Sequence, residues 1–309
     1  MHKIRLALIA GGVSGEREVS LQGATGVEQA LDTEKYKVVR YDPATDLARI
    51  AADADQLDVA FILLHGIQGE DGTVQGMLEL LGIPYQGAGV LGSALAMDKN
   101  LAKTLYRLHD LPVAAWAMAT KKHIADPTPL LTKLSLPLVI KPIRQGSSLG
   151  MSIVHQSEDL PAALVTAFKH DNQVMAEEFI QGREITVGVL GNTELTAPPL
   201  VEIIPNSRYD FFDYEAKYQL GATQEVCPAV VSDRIREQAQ AYALTAHKTL
   251  QLRGYSRTDM IIGPEDEIFI LETNTIPGMT PTSLFPQAAA QAGLDFSALL
   301  DRLVMLAME

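Results

Sequence analysis

"YSRTDMIIGPEDEIFILETNT", residues 255 to 275, holds two apolar runs of strand length, "YSRTDMII" and "IFILETNT", around the turn-forming "PEDE". The pattern predicts an antiparallel hairpin with a four-residue turn at 264–267. If Arg257 stands opposite Asn274, then Asp259 stands opposite Glu272, and because side chains alternate along a strand all four share one face. Two carboxylates directly opposite each other repel. The pairing makes physical sense with a hard divalent cation between them, since Asp, Glu and Asn oxygens are what Mg2+ accepts, usually alongside substrate phosphates. Asp259, Glu272 and Asn274 are therefore candidate metal ligands, with a solvated polar face as the plain alternative.

Working outward, residues 4–10 and 58–64 are apolar runs of strand length, each followed by a Gly-containing loop and a helical pattern: from Val19 onward, and "GTVQGMLELLG" closing on Gly82. Repeated β-loop-α units imply a parallel sheet with helices on its faces. Ser93 is read as the cap of a further helix carrying Leu95, Leu101, Leu105 and Leu108 on one side, stopped by Pro112. From about residue 112 the pattern becomes strands joined by Gly turns, with one helix near 158–170, which suggests a second domain. Strands return from about 183 in "EITVGVLG". The polar and aromatic segment 206–225 reads as a lid or a disordered loop. Ser232 is expected to cap a helix to about Leu252, and short helices near 283–292 and 295–307 finish the chain.

Two further stretches carry chemistry. In "LPLVIKPIRQGSSLGMSIV", residues 136–154, Lys141 ends a strand and "RQGSSLG" follows as a flap whose backbone N–H groups can cover phosphates while the lysine neutralises them. This is neither a P-loop, which needs Gly-Lys-Ser/Thr opening a helix, nor a dinucleotide fingerprint. A plain Gly-rich hairpin is the competing reading. "MAEEFIQGRE", residues 175–184, offers acidic side chains at a strand end, an apolar step, and Gly182 as a hinge. That arrangement can present backbone groups to an adenine and a carboxylate to a ribose, or be a charged turn. The acidic residues of "GGVSGERE", 11–18, would repel phosphate, and Glu16 suits an ammonium better.

The chain's 309 residues, 47% hydrophobic, allow two or three domains with a substantial core. A formal charge of -13 argues against nucleic acid or an anionic membrane as partner. The single cysteine, Cys227, rules out an intramolecular disulfide or cysteine-based zinc site, suits a reducing cytoplasm, and is read as a buried thiol. The apolar stretch near the N-terminus runs into "GEREVS" without a cleavage-site pattern and reads as a first strand. No apolar segment approaches the roughly 20 residues of a bilayer span.

In order along the chain, "GEREVSL", "LHGIQGEDGTVQGMLELLGIPYQGAGV", "AMDKNLAK", "KPIRQGSSLGMS", "DYEAKY" and "LETNTIPGMTPTSLFP" resemble the D-alanine–D-alanine ligase family of the ATP-grasp superfamily. The likeness spans nearly the whole chain. It implies an α/β fold, α+β in the nucleotide-binding part, of three domains: 1–95 with a parallel sheet for substrate, a central ATP-grasp domain at 96–182, and a C-terminal one at 183–309 carrying the lid loop 206–225. It implies an ATP-dependent ligase that joins two D-alanines through an acyl phosphate for peptidoglycan precursors. ATP is co-substrate, two Mg2+ ions (Mn2+ as substitute) are cofactors, and a cytoplasmic homodimer is expected.

Laid on these positions, the resemblance makes Lys99, Lys141, Ser148, Glu177, Phe179, Ile180 and Glu184 ATP contacts, the lysines and Ser148 at the phosphates, Glu177 and Glu184 on the sugar or base side, Phe179 and Ile180 at the adenine. Asp259, Glu272 and Asn274 match the family's two-magnesium site. Lys217 would offset charge on the transferring phosphoryl group, and Arg257 with the N–H of Gly278 would stabilise the oxyanion. Glu16 would hold the first D-alanine's ammonium near His65, while Ser283 and Leu284 open a helix whose amides would bind the second carboxylate. Glu16, Ser147 and Tyr218 would tie the lid to the rest. Several residues beside the ligands differ from the family pattern, though no catalytic group is missing, and "EAKY" has the dipeptide-forming form. The alternatives are an ATP-grasp ligase with another acceptor such as D-lactate, or a non-catalytic nucleotide-binding module. A dinucleotide-binding oxidoreductase lacks its G-x-G-x-x-G.

Overall fold

The computed structural model describes residues 3–206 and 223–309. The chain begins with β1 (Ile4–Ile9), α1 (Arg17–Ala30), β2 (Tyr36–Tyr41), α2 (Leu47–Asp53), β3 (Val59–Ile62) and α3 (Thr73–Leu80). The three strands form a parallel sheet in the order β2-β1-β3. Leu6, Leu8 and Phe61 pack against Ala24 and Val27 of α1 on one face, and Ala7, Ile9 and Ile62 against Ile50, Val74 and Leu78 on the other. A strand buried on both faces carries a continuous apolar run, which is why β1 and β3 were legible as strands.

The helix expected after Ser93 is two helices, α4 (Val90–Met97) and α5 (Lys99–Leu108). Ser93 lies inside α4, buried. The break falls at Asp98, whose extended backbone and side chain cap α5 by accepting from the Leu101 N–H at 3.0 Å. The expected leucine stripe is not the buried face of α5: Leu101 and Leu108 are exposed, and Ala102, Lys103 and Tyr106 point inward.

The second sheet comprises β4 (Trp116–Ala119), β5 (Leu138–Pro142), β6 (Ser152–Val154) and β7 (Val174–Glu178), antiparallel in the order β4-β7-β5-β6. Short helix α6 (Thr128–Leu131) and α7 (Leu160–Ala167) cover one face through Leu130, Leu160 and Leu164. The third sheet joins β8 (Arg183–Gly191), β9 (Val201–Pro205), β10 (Thr223–Val226), β11 (Gly254–Ile262) and β12 (Ile268–Asn274), ordered β10-β9-β8-β11-β12. The end of the segment expected to be a loop over 206–225 is thus strand β10; residues 207–222 lie outside the described residues. Helix α8 (Asp233–Thr249), capped by Ser232, lays Ala239, Ala243 and Ala246 on Ile185, Val187, Met260 and Ile270, where α5 contributes Ala102 and Tyr106. Helices α9 (Leu284–Gln291) and α10 (Phe296–Met308) return the chain to the first sheet, α10 packing Leu299, Leu300, Leu303 and Val304 beside Leu6 and Phe61.

Gly182, expected as a hinge, has a more specific role. A Cβ there would stand 2.1 Å from the Ile262 carbonyl oxygen, so only glycine lets the start of β8 pass β11 so closely. Cys227 is half-buried, and burial pushes its thiol pKa up. Among the described residues no helix is long and apolar enough to cross a membrane.

Candidate active site

The hairpin of β11 and β12 pairs Arg257 with Asn274 and Asp259 with Glu272, as the spacing requires. Beyond Asp259 the register slips, Met260 facing Ile270, so Leu271 is an extra, unopposed residue. The connection is correspondingly longer than the four-residue turn expected, closing as Gly263 N–H to Glu267 O at 2.8 Å. The bulge lets consecutive residues Leu271 and Glu272 face one side, where they line a cavity with Asp259 and Ile261, while Ile268 and Ile270 stay in the core.

Each of the opposed carboxylates has its own cation. Arg257 forks onto Asp259, Nε to Oδ1 and Nη2 to Oδ2 both at 2.8 Å, and Lys99 Nζ lies 3.0 Å from Glu272 Oε2. Asn274 Nδ2 donates to Asp259 Oδ2 at 2.9 Å, and Thr186 Oγ1 to its Oδ1 at 2.6 Å. Burial works against the Arg257 guanidinium, but Asp259 outweighs it and holds its pKa above the ordinary value. The repulsion inferred from the sequence is thus already relieved by protein cations. The donor set, two carboxylates and a carboxamide, suits a hard oxygen-seeking cation whose remaining positions are filled by phosphate and water. Among the described residues no group of three or more His, Cys, Asp or Glu side chains is placed to hold a metal ion by itself.

The cavity lies between the second and third sheets. Lys99, Lys141, Ser148, Glu177, Phe179, Ile180 and Glu184 all line it. Apolar residues missed by the sequence reading complete the walls: Val139 on β5, two before Lys141, and Met151 and Ile153 at β6. The period-two alternation through Lys141 was the available signal for Val139. Lys141 Nζ stands 2.5 Å from Glu177 Oε2, and Lys103 pairs with Glu177 Oε1 from beneath. Burial opposes ionisation of Glu177, yet the two lysines hold its pKa below the usual carboxylate range. Over the mouth, Ser147 and Ser148 both adopt left-handed backbone conformations, φ 49° and 57°, unusual for residues with a side chain.

A second group forms where the first sheet's loops meet the flap and the residues after β12. Ser147 Oγ donates to Glu16 Oε1 at 2.5 Å, joining the flap to the start of α1. His65 sits in the electrostatic reach of Glu16 and Arg257; burial, with Arg257, pulls its pKa down against Glu16, leaving a neutral imidazole. Glu70 was not singled out from the sequence, although "GEDG" contained it. Its Oε2 accepts the Gly66 N–H at 2.9 Å and its Oε1 the Ile276 N–H at 3.2 Å, tying the two loops together. Burial pushes its pKa up to about 7.

Ser283 stands at the N-cap position of α9 without a side-chain cap bond, its Oγ instead accepting the Thr280 N–H at 3.1 Å; a Cβ on Gly278 would lie 3.1 Å from that Oγ, so these two are neighbours. Leu284 is brought here by its backbone alone: its side chain is buried against Val201, Ile203 and Ala288, because the first turn of α9 packs on the third sheet. Lys217 and Tyr218 lie outside the described residues.

The description "D-ala D-ala ligase C-terminus" matches residues 105–305, and "D-ala D-ala ligase N-terminus" matches residues 40–88. A D-alanine–D-alanine ligase of Desulfotalea psychrophila is 58% identical over 308 residues, 99% of this chain and 96% of that protein. One from Syntrophobacter fumaroxidans is 57% identical, covering 99% and 98%. The crystal structure of the D-alanine–D-alanine ligase from Bacillus anthracis complexed with ATP superposes with a TM-score of 0.86 at 32% identity over 99% of this chain and 97% of that one. The VanG D-Ala:D-Ser ligase from Enterococcus faecalis superposes with a TM-score of 0.86 at 34% identity, covering 99% and 100%.

Proposed function

The chain belongs to the D-alanine–D-alanine ligase family, and from that premise we propose how its residues carry the reaction. The protein is an ATP-dependent ligase of the ATP-grasp fold that joins two D-alanines. The observation that carries the residue-level reading is the cavity in which Asp259 and Glu272, paired across the hairpin, face the lysines and the apolar slot together.

In this reading the chain divides at about residues 95 and 182, with ATP between the second and third parts. Phe179 and Ile180 flank the adenine, Glu184 takes a ribose hydroxyl, and Lys99, Lys141 and Ser148 meet the phosphates. Asp259, Glu272 and Asn274 would hold Mg2+, two ions by the family pattern or Mn2+ in their place. Such a cation would neutralise phosphate charge and polarise the transferring group.

Glu16 holds the first D-alanine's ammonium beside neutral His65, leaving its carboxylate free to take the γ-phosphoryl group as ADP departs. A carboxylate is a poor electrophile because it is anionic and lacks a leaving group; phosphorylation supplies one. The second D-alanine's carboxylate rests on the amides at Ser283 and Leu284, and its neutral amine attacks the acyl carbon. A C–N bond forms, the amine loses a proton, and phosphate leaves. Arg257 and the Gly278 N–H stabilise the oxyanion between attack and departure. By the family pattern Lys217 would offset phosphoryl charge, and Tyr218 would act with Glu16 and Ser147 to shield the acyl phosphate from water. The enzyme works in the cytoplasm, where ATP is supplied, as a homodimer, and its dipeptide enters peptidoglycan precursors.

Purified protein with Mg2+ and ATP, offered D-alanine, L-alanine, D-lactate or D-serine, tests the reading. ADP and dipeptide should appear together with D-alanine and not with L-alanine. D-serine is included because of the likeness to a D-Ala:D-Ser ligase. Faster product with D-serine or D-lactate than with D-alanine as acceptor would reassign the second subsite, and ADP without any joined product would reject ligation.

A further inference from the structure

Lys103 lies on α5 with no surface exposed to solvent. A lysine so placed is costly unless its charge is matched. Its Nζ pairs with Glu177 Oε1 and donates to the Ile270 carbonyl at 3.2 Å. The other oxygen of Glu177 lies 2.5 Å from Lys141 Nζ. Lys141 and Glu177 line the cavity; Lys103 does not. One carboxylate is therefore shared by two ammonium groups, one facing the ligand space and one behind it. The anchor on Ile270 fixes the rear lysine to β12 just before Leu271 and Glu272.

The charge arithmetic gives this arrangement a consequence. With Lys141 as its sole partner, Glu177 would consume that lysine's charge in a closed ion pair, and an incoming phosphate would have to compete with a buried carboxylate. With Lys103 behind it, Glu177 is neutralised and the cluster keeps one surplus positive charge, carried on the side that opens to the cavity. We propose that Lys103 is a positioning residue that neutralises Glu177 from beneath, so that Lys141 stays available to the phosphates of the nucleotide. The proposal rests on the cavity being the nucleotide site. Burial, with Lys141, holds the Lys103 pKa below the ordinary lysine value, and Glu177 opposes that pull, which is why the ion pair and not burial keeps the charge there.

The test compares ADP with adenosine, both measured by calorimetry on the full chain in the presence of Mg2+. Parent protein that binds neither ligand rejects the nucleotide reading itself, independently of Lys103. In Lys103→Met the ratio of ADP affinity to adenosine affinity should fall by roughly tenfold, the worth of one charge-assisted contact. A plug that merely fills the core would weaken both ligands alike and leave the ratio unchanged, which overturns the proposal. The double variant K103M/E177Q removes the carboxylate that needs neutralising and restores the net charge of the cluster. Its ratio should return to within about threefold of the parent, the additivity failure expected of coupled neighbours. A ratio as low as that of K103M would overturn the proposal. If K103M does not fold, the double variant is read against Glu177→Gln alone: phosphate recognition of the parent's order supports the neutralising role, and a tenfold deficit rejects it.

Discussion

Asp259 accepts hydrogen bonds from Thr186, Asn274 and both arms of the Arg257 fork. Its two oxygens are thereby aimed before any ligand arrives. Asp259→Asn replaces one acceptor by a donor facing other donors and leaves the Arg257 guanidinium buried beside a neutral group. We expect kcat to fall roughly 100-fold or more, about 3 kcal/mol of lost transition-state stabilisation. Stability in urea should fall by a similar ~3 kcal/mol, because a buried charge loses its partner. Retained activity at the parent's level would remove Asp259 from the metal set. Glu70 offers a different readout. Its pKa rises from the ordinary 4.5 to about 7 on folding, so the folded state binds the proton more tightly. Stability therefore declines as pH rises from 4.5 through 7, and the penalty, at most about 3 kcal/mol, is complete above that. Glu70→Gln cannot ionise and escapes the penalty, although one amide bond to Gly66 or Ile276 is lost. Urea unfolding of both proteins at pH 5 and pH 8 checks this: the parent's advantage over E70Q should be largest at pH 5 and shrink by pH 8. An advantage that grows with pH would contradict the burial argument.

At the scale of elements, the bulge inserts Leu271 into the cavity wall while leaving the carboxylate pair in register. Deleting Leu271 continues the Met260–Ile270 ladder directly into Asp259–Glu272, so both carboxylates stay opposite each other on the cavity face and only an apolar wall residue is lost. The ΔLeu271 variant should keep its circular dichroism spectrum and its Mg2+-dependent ATP turnover, and bind adenosine more weakly by up to about 2 kcal/mol, the burial of one leucine. Turnover lost below detection would mean that the bulge, and not the pairing alone, aims Glu272 at the cavity. Sequence spacing placed Asp259 opposite Glu272 because the four ligand-face residues lie on the tip-distal side of the bulge, where alternation is intact. It missed the bulge because Leu271 fits either a core or a cavity wall, and hydrophobicity does not distinguish them. The same blindness merged α4 and α5: an apolar stripe continued through Asp98, and only the turn of its backbone shows it capping a new helix. Glu70 and Lys103 escaped for a related reason. Their roles arise from partners more than 70 residues away in sequence, Ile276 for one and Glu177 and Ile270 for the other. The long motifs, in contrast, placed all seven nucleotide candidates in one cavity.

The whole molecule is closed by its last helix. The parallel sheet presents Leu6, Leu8 and Phe61 to a layer built from α1 and, across the full length of the chain, from Leu299, Leu300, Leu303 and Val304 of α10. Lys35 and Tyr36 both bond Asp301 at the edge of that layer, so the contact is polar at its rim and apolar within. Each of the four aliphatic side chains buries about 2 kcal/mol of transfer free energy, and together they rival the ~5–15 kcal/mol by which a domain is stable at all. The first sheet is therefore not self-sufficient, although a boundary near residue 95 divides the chain by function. This matters for the chemistry, because Glu16 and His65 ride on that sheet while Arg257 and Gly278 belong to the C-terminal part. Removing residues 296–309 should uncover the sheet face, lower the melting temperature by well over 10 °C, and abolish ligation. Adenosine binding, whose residues lie on the second and third sheets, should survive at temperatures where the truncated protein has already lost dipeptide formation. Thermal melts followed by tryptophan fluorescence report the second sheet through Trp116, and far-ultraviolet dichroism reports the whole chain. The two should melt together in the full chain and separately in the truncation, and coincident melting of the truncated protein would show that α10 is not what couples the N-terminal sheet to the rest.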